Sequence, residues 1–207
     1  MKVNEFPVLE TNRIVLREIR INDAETIYDY LSDSEVIKYL EGSTDSIDEA
    51  REYISFISKG YENRTDIRWG IELKENHTLI GDCGLGHINE PKTPTELGYI
   101  LSKKYWNKGY MSEVLKAILE YGFEELRLHR IQAWTHPDNM ISSRLLLNNG
   151  FTKEGLLREF VYIWHKGIYI DVDMYAILSK DYKSNLSVAN PTGFALLLKY
   201  SIMRVQL

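Results

Sequence analysis

Gly109 stands between a short polar loop and a segment with the periodicity of an amphipathic helix. The loop, residues 102–108, follows an alternating apolar segment, residues 97–101, which predicts a strand. A strand that enters a helix through such a loop leaves backbone N–H groups unpaired at the positive end of the helix dipole. Because these groups favour anions and Lys108 adds a positive charge, the pattern predicts a site for a phosphate-bearing ligand.

Other phosphate loops and a purely structural role are the alternatives for this glycine. Around Gly109 the sequence contains neither Gly-x-x-x-x-Gly-Lys-Ser/Thr nor Gly-x-Gly-x-x-Gly, so a Walker loop and the dinucleotide fingerprint are excluded. A lone glycine that eases a tight turn would leave the same pattern. The choice between ligand binding and an ordinary connection therefore depends on the surrounding elements.

The elements around this unit predict an α+β domain. Alternating apolar residues predict strands near 13–19, 67–73, 78–88, 130–134, 151–163 and 168–178. Apolar residues at helical spacing predict helices near 24–31 and 47–57, from Gly109 to Phe123, and after Asn139. This order favours a mixed, mostly antiparallel sheet of about seven strands, flanked by about four helices, with residues 1–183 as one domain. Residues 184–207 are assigned to a C-terminal tail, which is left open as loosely docked, packed as a helix, or non-native.

Composition narrows the classes of function. The net charge of −5 argues against direct binding of nucleic acid. The single cysteine, Cys83, excludes an internal disulfide, suits a reducing cytoplasm, and is expected to be a small buried hydrophobe. Five scattered histidines lack ligand spacing, so no metal site is expected. No signal-peptide run opens the chain and no segment approaches a membrane span, so we expect a cytoplasmic protein without a membrane partner.

Two short segments carry a family resemblance. Residues 96–99 (ELGY) and 105–110 (YWNKGY) resemble the acetyl-CoA loop of the GCN5-related N-acetyltransferases, the GNAT superfamily. Within it they look most like the RimJ/RimL-like branch, which contains ribosomal-protein N-terminal acetyltransferases. The family pattern Gln/Arg-x-x-Gly-x-Gly/Ala falls on residues 106–111, where Trp106 and Met111 depart from it. Residues 9–17, 139–151, 155–158 and 171–178 resemble further signatures of the branch in the same order.

The resemblance implies a three-layer fold whose sheet splays apart where acetyl-CoA enters, and it implies the residues that hold this cosubstrate. Residues 106–112 would bind its pyrophosphate, namely Trp106, Asn107, Lys108, Gly109, Tyr110, Met111 and Ser112. The backbone N–H of Leu101 is the candidate to polarise the thioester carbonyl. Asn139 and Ser142 would contact the pantetheine arm, although Asn139 also suits an ordinary helix N-cap and Ser142 an ordinary helical position.

Acetyl transfer to an amine also needs a base for the amine and an acid for the thiolate. Glu96, at the start of the strand beside the predicted gap, is the candidate base, with a surface carboxylate as the alternative. Ser142 is the candidate acid, with Tyr99 and Tyr105 as substitutes. A raised pKa from partial burial of Glu96 would suit its role.

These observations predict an N-acetyltransferase that moves an acetyl group from acetyl-CoA to a primary amine by direct attack in a ternary complex. The branch resemblance points to a protein N-terminal amine as the acceptor. A small polyamine or an antibiotic amine fits the same motifs. The alternative from a different class is a non-catalytic CoA-binding sensor, and a homodimer is left open.

Overall fold

The computed structural model describes residues 5–90 and 93–183. Over these residues a single eight-stranded sheet carries helices on both faces. Its strands are β1 (Leu9–Glu10), β2 (Ile14–Glu18), β3 (Ile67–Leu73), β4 (Leu79–Gly86), β5 (Thr95–Leu101), β6 (Arg130–Thr135), β7 (Thr152–Ile163) and β8 (Ile168–Leu178). Its main helices are α1 (Ala24–Leu31), α2 (Ile47–Glu62), α3 (Tyr110–Glu120) and α4 (Met140–Asn148), and residues 179–183 are also helical. The predicted tail, residues 184–207, lies outside the described residues, so the division at residue 183 stays a prediction.

The strand order is β1-β2-β3-β4-β5-β6-β8-β7. Within the described residues, β5 and β6 pair in parallel and all other neighbouring strands pair antiparallel. The α+β class and the mostly antiparallel sheet are therefore confirmed. The predicted count of about seven strands was slightly too low. The additional strand is β1, which pairs Leu9 with Leu16 and, at two residues, is too short to show alternation.

The two faces of β5 meet different helices, because successive side chains of a strand point to opposite sides. Leu97 belongs to the core cluster that includes Val114 of α3 and Leu146 of α4. Ile100 belongs to the cluster built from α1 and α2. We call these sides the α3–α4 face and the α1–α2 face. Helix α3 packs on the sheet as predicted, and it continues into a π-helical turn, Tyr121–Glu125.

A buried polar cluster fixes α1 and α2 to the sheet. Asp82 of β4 is 0% exposed and accepts hydrogen bonds from the Tyr30 hydroxyl at 2.6 Å and the Tyr53 hydroxyl at 3.3 Å. The Arg68 guanidinium of β3 donates its Nε–H to the same carboxylate at 2.6 Å. Each of these bonds satisfies a group that would be costly to leave unpaired, so the cluster holds both helices in one position.

Candidate active site

The sheet opens between β5 and β6. Among the described residues these strands pair at two positions, Thr95 with Ile131 and Glu96 with Gln132, although each strand continues further. Beyond Gln132, β6 stays paired with β8 on its other side. The predicted separation of this strand pair is confirmed, and Glu96 lies at the closed end of the gap.

The backbone of Leu101 faces this gap. Ser102 donates its N–H to the carbonyl of Ile80 in β4 at 2.9 Å. Backbone groups of an antiparallel strand alternate in direction, so the N–H groups of Leu101 and Tyr99 point away from β4 and toward the gap. The carbonyl of Leu101 accepts the indole N–H of Trp106 at 2.7 Å, which agrees with that direction. Trp106, predicted to bind cofactor, thus uses its indole N–H inside the protein.

The start of α3 is a set of unpaired donors. Gly109 is the N-cap in the left-handed region, at φ 78°, and Asn107 lies there too, at φ 57°. The N–H of Glu113 bonds to the carbonyl of Gly109 at 3.2 Å. This is the first hydrogen bond of the helix. The N–H groups of residues 110–112 come before it in the chain and therefore have no acceptor within the helix. Together with the helix dipole they are suited to bind an anion at the position where the sequence predicts a phosphate site, which stays a prediction.

Arg13, in the connection between β1 and β2, was not predicted as a site residue. Its guanidinium donates to the carbonyl of Lys108 at 3.1 Å and to Glu113 at 2.8 Å, and lies 4.4 Å from the ring centroid of Tyr110. Burial opposes ionisation of Glu113, but hydrogen bonds from Thr11 and Arg13 outweigh it and hold the pKa of Glu113 below its ordinary value. Arg13 thus fixes the loop and adds a cation beside it. Since about a hundred residues separate the partners, no local pattern reveals this contact.

Ser142 lies in α4 on the α3–α4 face. Its hydroxyl is 2.6 Å from the hydroxyl of Tyr99, so the structure brings together the predicted acid and one of its substitutes. Burial raises the pKa of Tyr99 well above its ordinary value, although the Ser142 hydrogen bond opposes the shift. Asn139 caps α4 by accepting the N–H of Ser142 at 3.2 Å through its side-chain oxygen. Its amide NH₂ has no hydrogen bond within the described part of the chain.

Two further predicted residues have partners of their own. Ser112 donates its hydroxyl to the side-chain oxygen of Asn149 at 3.3 Å, which joins the start of α3 to the end of α4. The ammonium of Lys108 lies 5.4 Å from the ring centroid of Tyr105. Tyr105 therefore packs beside the loop.

Glu96 lies on the α1–α2 face, opposite Tyr99 and Ser142. Gln132 donates its side-chain amide to the Glu96 carboxylate at 3.2 Å and so orients it. Gln132 was missed by the sequence argument, and it becomes visible once β5 and β6 are aligned as parallel neighbours. Glu41, in the connection between α1 and α2, was also missed. The Glu41 residue is exposed, but partial desolvation of its carboxylate, followed by repulsion from Glu96, raises the pKa of Glu41, so the two carboxylates interact.

Cys83 and Trp69 belong to the core. Cys83 is fully buried, and this burial raises the pKa of its thiol to about 12, as expected of an unreactive packing residue. Trp69 is fully buried and donates to the carbonyl of Pro7 at 2.7 Å. Within residues 5–90 and 93–183 no three His, Cys, Asp or Glu side chains are grouped as metal ligands, and no helix is long and apolar enough to span a membrane.

A comparison with protein families gives this geometry a family. Residues 13–152 match the model of the acetyltransferase (GNAT) domain. The chain belongs to the GNAT acetyltransferase family. This GNAT enzyme is 39% identical over 175 residues to the uncharacterized N-acetyltransferase YoaA of Bacillus subtilis, an alignment that covers 84% of this chain and 97% of YoaA. It is 26% identical to the [ribosomal protein uS5]-alanine N-acetyltransferase of Escherichia coli, covering 75% of this chain and 83% of that one.

Solved structures agree with this family. A GNAT-family acetyltransferase from Bacillus anthracis has a TM-score of 0.73 at 28% identity, covering 84% of this chain and 99% of that chain. The spermidine N-acetyltransferase of Vibrio cholerae, solved with CoA and spermine, has a TM-score of 0.71 at 26% identity, covering 83% and 99%. The chain is thus an acetyl-transferring enzyme whose cosubstrate is acetyl-CoA, and the predicted sensor without catalysis is not favoured. A ribosomal-protein N-acetyltransferase is thus among its relatives, and the structure of RimL, at 20% identity, shares its fold.

Proposed function

We propose that this enzyme acetylates a protein N-terminal amine by direct attack on acetyl-CoA in a ternary complex. The observation that carries the proposal is the gap that opens beyond Glu96, with the Glu96 carboxylate on one face and the Tyr99–Ser142 pair on the other. The donor and the acceptor can therefore approach the same opening from opposite faces of the sheet. A relative that acetylates an alanine of ribosomal protein uS5 supports the choice of acceptor.

On the α3–α4 face we assign the cosubstrate to the donors described above. The N–H groups of residues 110–112, with Lys108 and Arg13 beside them, bind its phosphates. The free amide NH₂ of Asn139 donates to the pantetheine arm, and the N–H of Leu101 donates to the thioester oxygen as negative charge develops there. Trp106 contributes by holding the end of β5 in place through its bond to Leu101.

On the α1–α2 face, Glu96 removes a proton from the acceptor ammonium through a water molecule, and the freed amine attacks the thioester carbon. A C–N bond forms, the C–S bond breaks, and the thiolate takes a proton from the Tyr99–Ser142 pair. Glu96, after passing the first proton to solvent, takes the second proton of the acylated nitrogen through the same water, and solvent returns a proton to the Tyr99–Ser142 pair. The raised pKa of Tyr99 keeps its phenol protonated at neutral pH. Gln132 holds the base in place, and Glu41 attracts the cationic acceptor.

The assay is the release of CoA on mixing the enzyme and acetyl-CoA with N-terminal peptides and with polyamines. Peptides should accelerate release, and Glu96→Gln should lower kcat by about 10²- to 10⁴-fold while the affinity for acetyl-CoA stays nearly unchanged. The matched control is Glu154→Gln, a carboxylate on β7 that pairs with Arg130. Tight CoA binding without acceleration by any amine would contradict the proposal, and an unchanged kcat in Glu96→Gln would remove Glu96 as the base.

A small polyamine is the second candidate acceptor. The neighbouring carboxylates of Glu41 and Glu96 favour cations, and the similar Vibrio cholerae enzyme is a spermidine N-acetyltransferase. Faster CoA release with spermidine than with any peptide would favour this candidate.

We also propose a cytoplasmic homodimer. Strand β7 is at the edge of the sheet, its Phe160 is 52% accessible, and Trp164, in the turn after it, is 75% accessible. An unpaired edge with such side chains suits association with a second copy. Sedimentation should give a dimer that Phe160→Glu converts to a monomer, whereas a monomeric parent enzyme would refute this assembly.

The single buried thiol suits a reducing cytoplasm.

A further inference from the structure

A cavity of about 260 Å³ lies between the 38–39 segment, the loop after β6 and the tip of the β7–β8 hairpin. Ile163, Ile168 and Ile170 form its apolar wall. The rings of Tyr39 and His136 stack in its lining, with centroids 4.9 Å apart and planes inclined by 28°. A concave site with such a lining suits an apolar group of a ligand.

Two ammonium groups lie in the lining of the cavity. Lys166 donates to the backbone carbonyl of Lys38 at 2.7 Å, and the Lys38 ammonium lies 5.0 Å from the ring centroid of Tyr39. Neither lysine has a carboxylate within 4.0 Å in the parts of the chain that the structure describes. Asp138 also lines the cavity, 3.8 Å from His136 and mostly exposed. Glu35, outside the lining, also interacts with Lys38 but lies 3.9 Å from Lys103. Within the lining, two lysines stand against one carboxylate, so the lining attracts an anion.

The cavity lies on the acceptor side of the sheet. Ile163, in its wall, belongs to a cluster against which Trp134 packs, and Trp134 lies on the same face of β6 as Gln132, the partner of Glu96. On the other wall, the carbonyl of Glu41 accepts the N–H of Trp164 at 3.1 Å, so the segment after Tyr39 is tied to the hairpin. From Gln132 to His136 is four residues, or about 13 Å along a strand, which an extended peptide covers in about four residues, or three with the reach of a side chain.

We propose that this cavity is a specificity subsite that takes an apolar side chain at the third or fourth residue of an acceptor peptide. A neighbouring carboxylate of the peptide pairs with Lys38 or Lys166. The inference rests on the proposed function, in which the acceptor is a protein N-terminus with its amine at Glu96. A polyamine has neither an apolar side chain nor a carboxylate, so the subsite would separate the two acceptor classes.

The test is a series of peptides that share the same N-terminal residue. Each carries leucine or serine at one of positions two to four, with aspartate or lysine next to that position. Leucine at position three or four should raise kcat/KM by about ten- to a hundredfold over serine, because burying that side chain replaces exposure to water. Lysine in place of the neighbouring aspartate should lower kcat/KM. Lys166→Glu should reverse the preference between the aspartate and lysine peptides, and Lys59→Glu, on the exposed end of α2, is the matched control.

The outcomes separate this inference from the proposed function. Peptides that are all acetylated at equal rates, or a preference at position two, would overturn the subsite while the function stands. An unaltered charge preference in both Lys166→Glu and Lys38→Glu would overturn the anionic part. If no peptide accelerates CoA release, the proposed function fails and the subsite fails with it.

Discussion

Replacing Gly109 by alanine should weaken acetyl-CoA binding and also destabilise the fold, by amounts that can be worked out separately. At φ 78° a residue with a Cβ atom costs about 1–2 kcal/mol, and each kilocalorie lowers the Tm of a chain of this size by about 2–4 °C. We therefore expect a loss of about 2–8 °C. A Cβ here would meet no atom nearer than Arg13 Nη2, at 3.5 Å, so strain and not crowding causes the loss.

The loss of affinity has a different origin. The added Cβ would stand where a phosphate must approach the N–H groups of α3, and a hydrogen bond to a charged group is worth about 1.5–3 kcal/mol. Loss of one such bond raises the dissociation constant of CoA by about ten- to a hundredfold. Gly109→Asn should lose affinity with less destabilisation, because asparagine tolerates the left-handed region.

Calorimetric titration with CoA and a thermal melt measure the two effects. Gly167, at φ 64° in the β7–β8 turn, supplies the matched control, because Gly167→Ala adds the same backbone strain far from the α3 loop. It should lower the Tm and leave CoA affinity unchanged. If Gly109→Ala bound CoA as tightly as the parent, or Gly167→Ala lost as much affinity, the phosphate site would not be at α3.

Three further changes test other parts of the molecule. Asp82→Asn leaves the Arg68 charge without its partner and should lower the free energy of unfolding by about 3 kcal/mol, near the low end for a buried pair because Arg68 is 24% exposed. Urea unfolding measures the loss, and an unchanged midpoint would contradict it. Tyr99→Phe should lower kcat by about 10²-fold with little change in the KM for acetyl-CoA. In the parent enzyme, deprotonation of Tyr99 should not lower kcat at any pH up to about 10, because the raised pKa of Tyr99 keeps its phenol protonated. The pKa of Glu41 is raised in the folded state, so its charge destabilises the fold above that pKa, and this penalty disappears as the pH falls. In denaturant titrations, Glu41→Gln should therefore be more stable than the parent at pH 7, and the difference should be smaller near pH 4. Equal stability gains at both pH values would exclude ionisation as the cause.

The cosubstrate side of the site could be predicted from sequence because its parts are local. Gly109 and the helix after it form one continuous segment, and Asn139 caps the helix that carries Ser142 three residues later. Helix starts and caps follow from neighbouring residues, so their function can be inferred before any long-range contact is known. The two-residue strand β1 and the contact of Arg13 with Lys108 lie outside that reach.

The acceptor side could not be predicted in the same way, because it is assembled from segments that are distant in the chain. Glu96 was found from its strand, but Gln132 orients it across a parallel pairing that spans 36 residues. The backbone of Glu41 is held by Trp164, which is more than 120 residues away in the chain. This difference has a consequence for specificity. The helix-start donors of residues 110–112 can stay the same when the α1–α2 connection and the β7–β8 hairpin change, since neither segment contributes to the helix start. The acceptor of a GNAT enzyme with this arrangement should therefore be decided by residues 38–41 and 163–170, and exchanging these segments between relatives should transfer acceptor preference while CoA affinity stays constant.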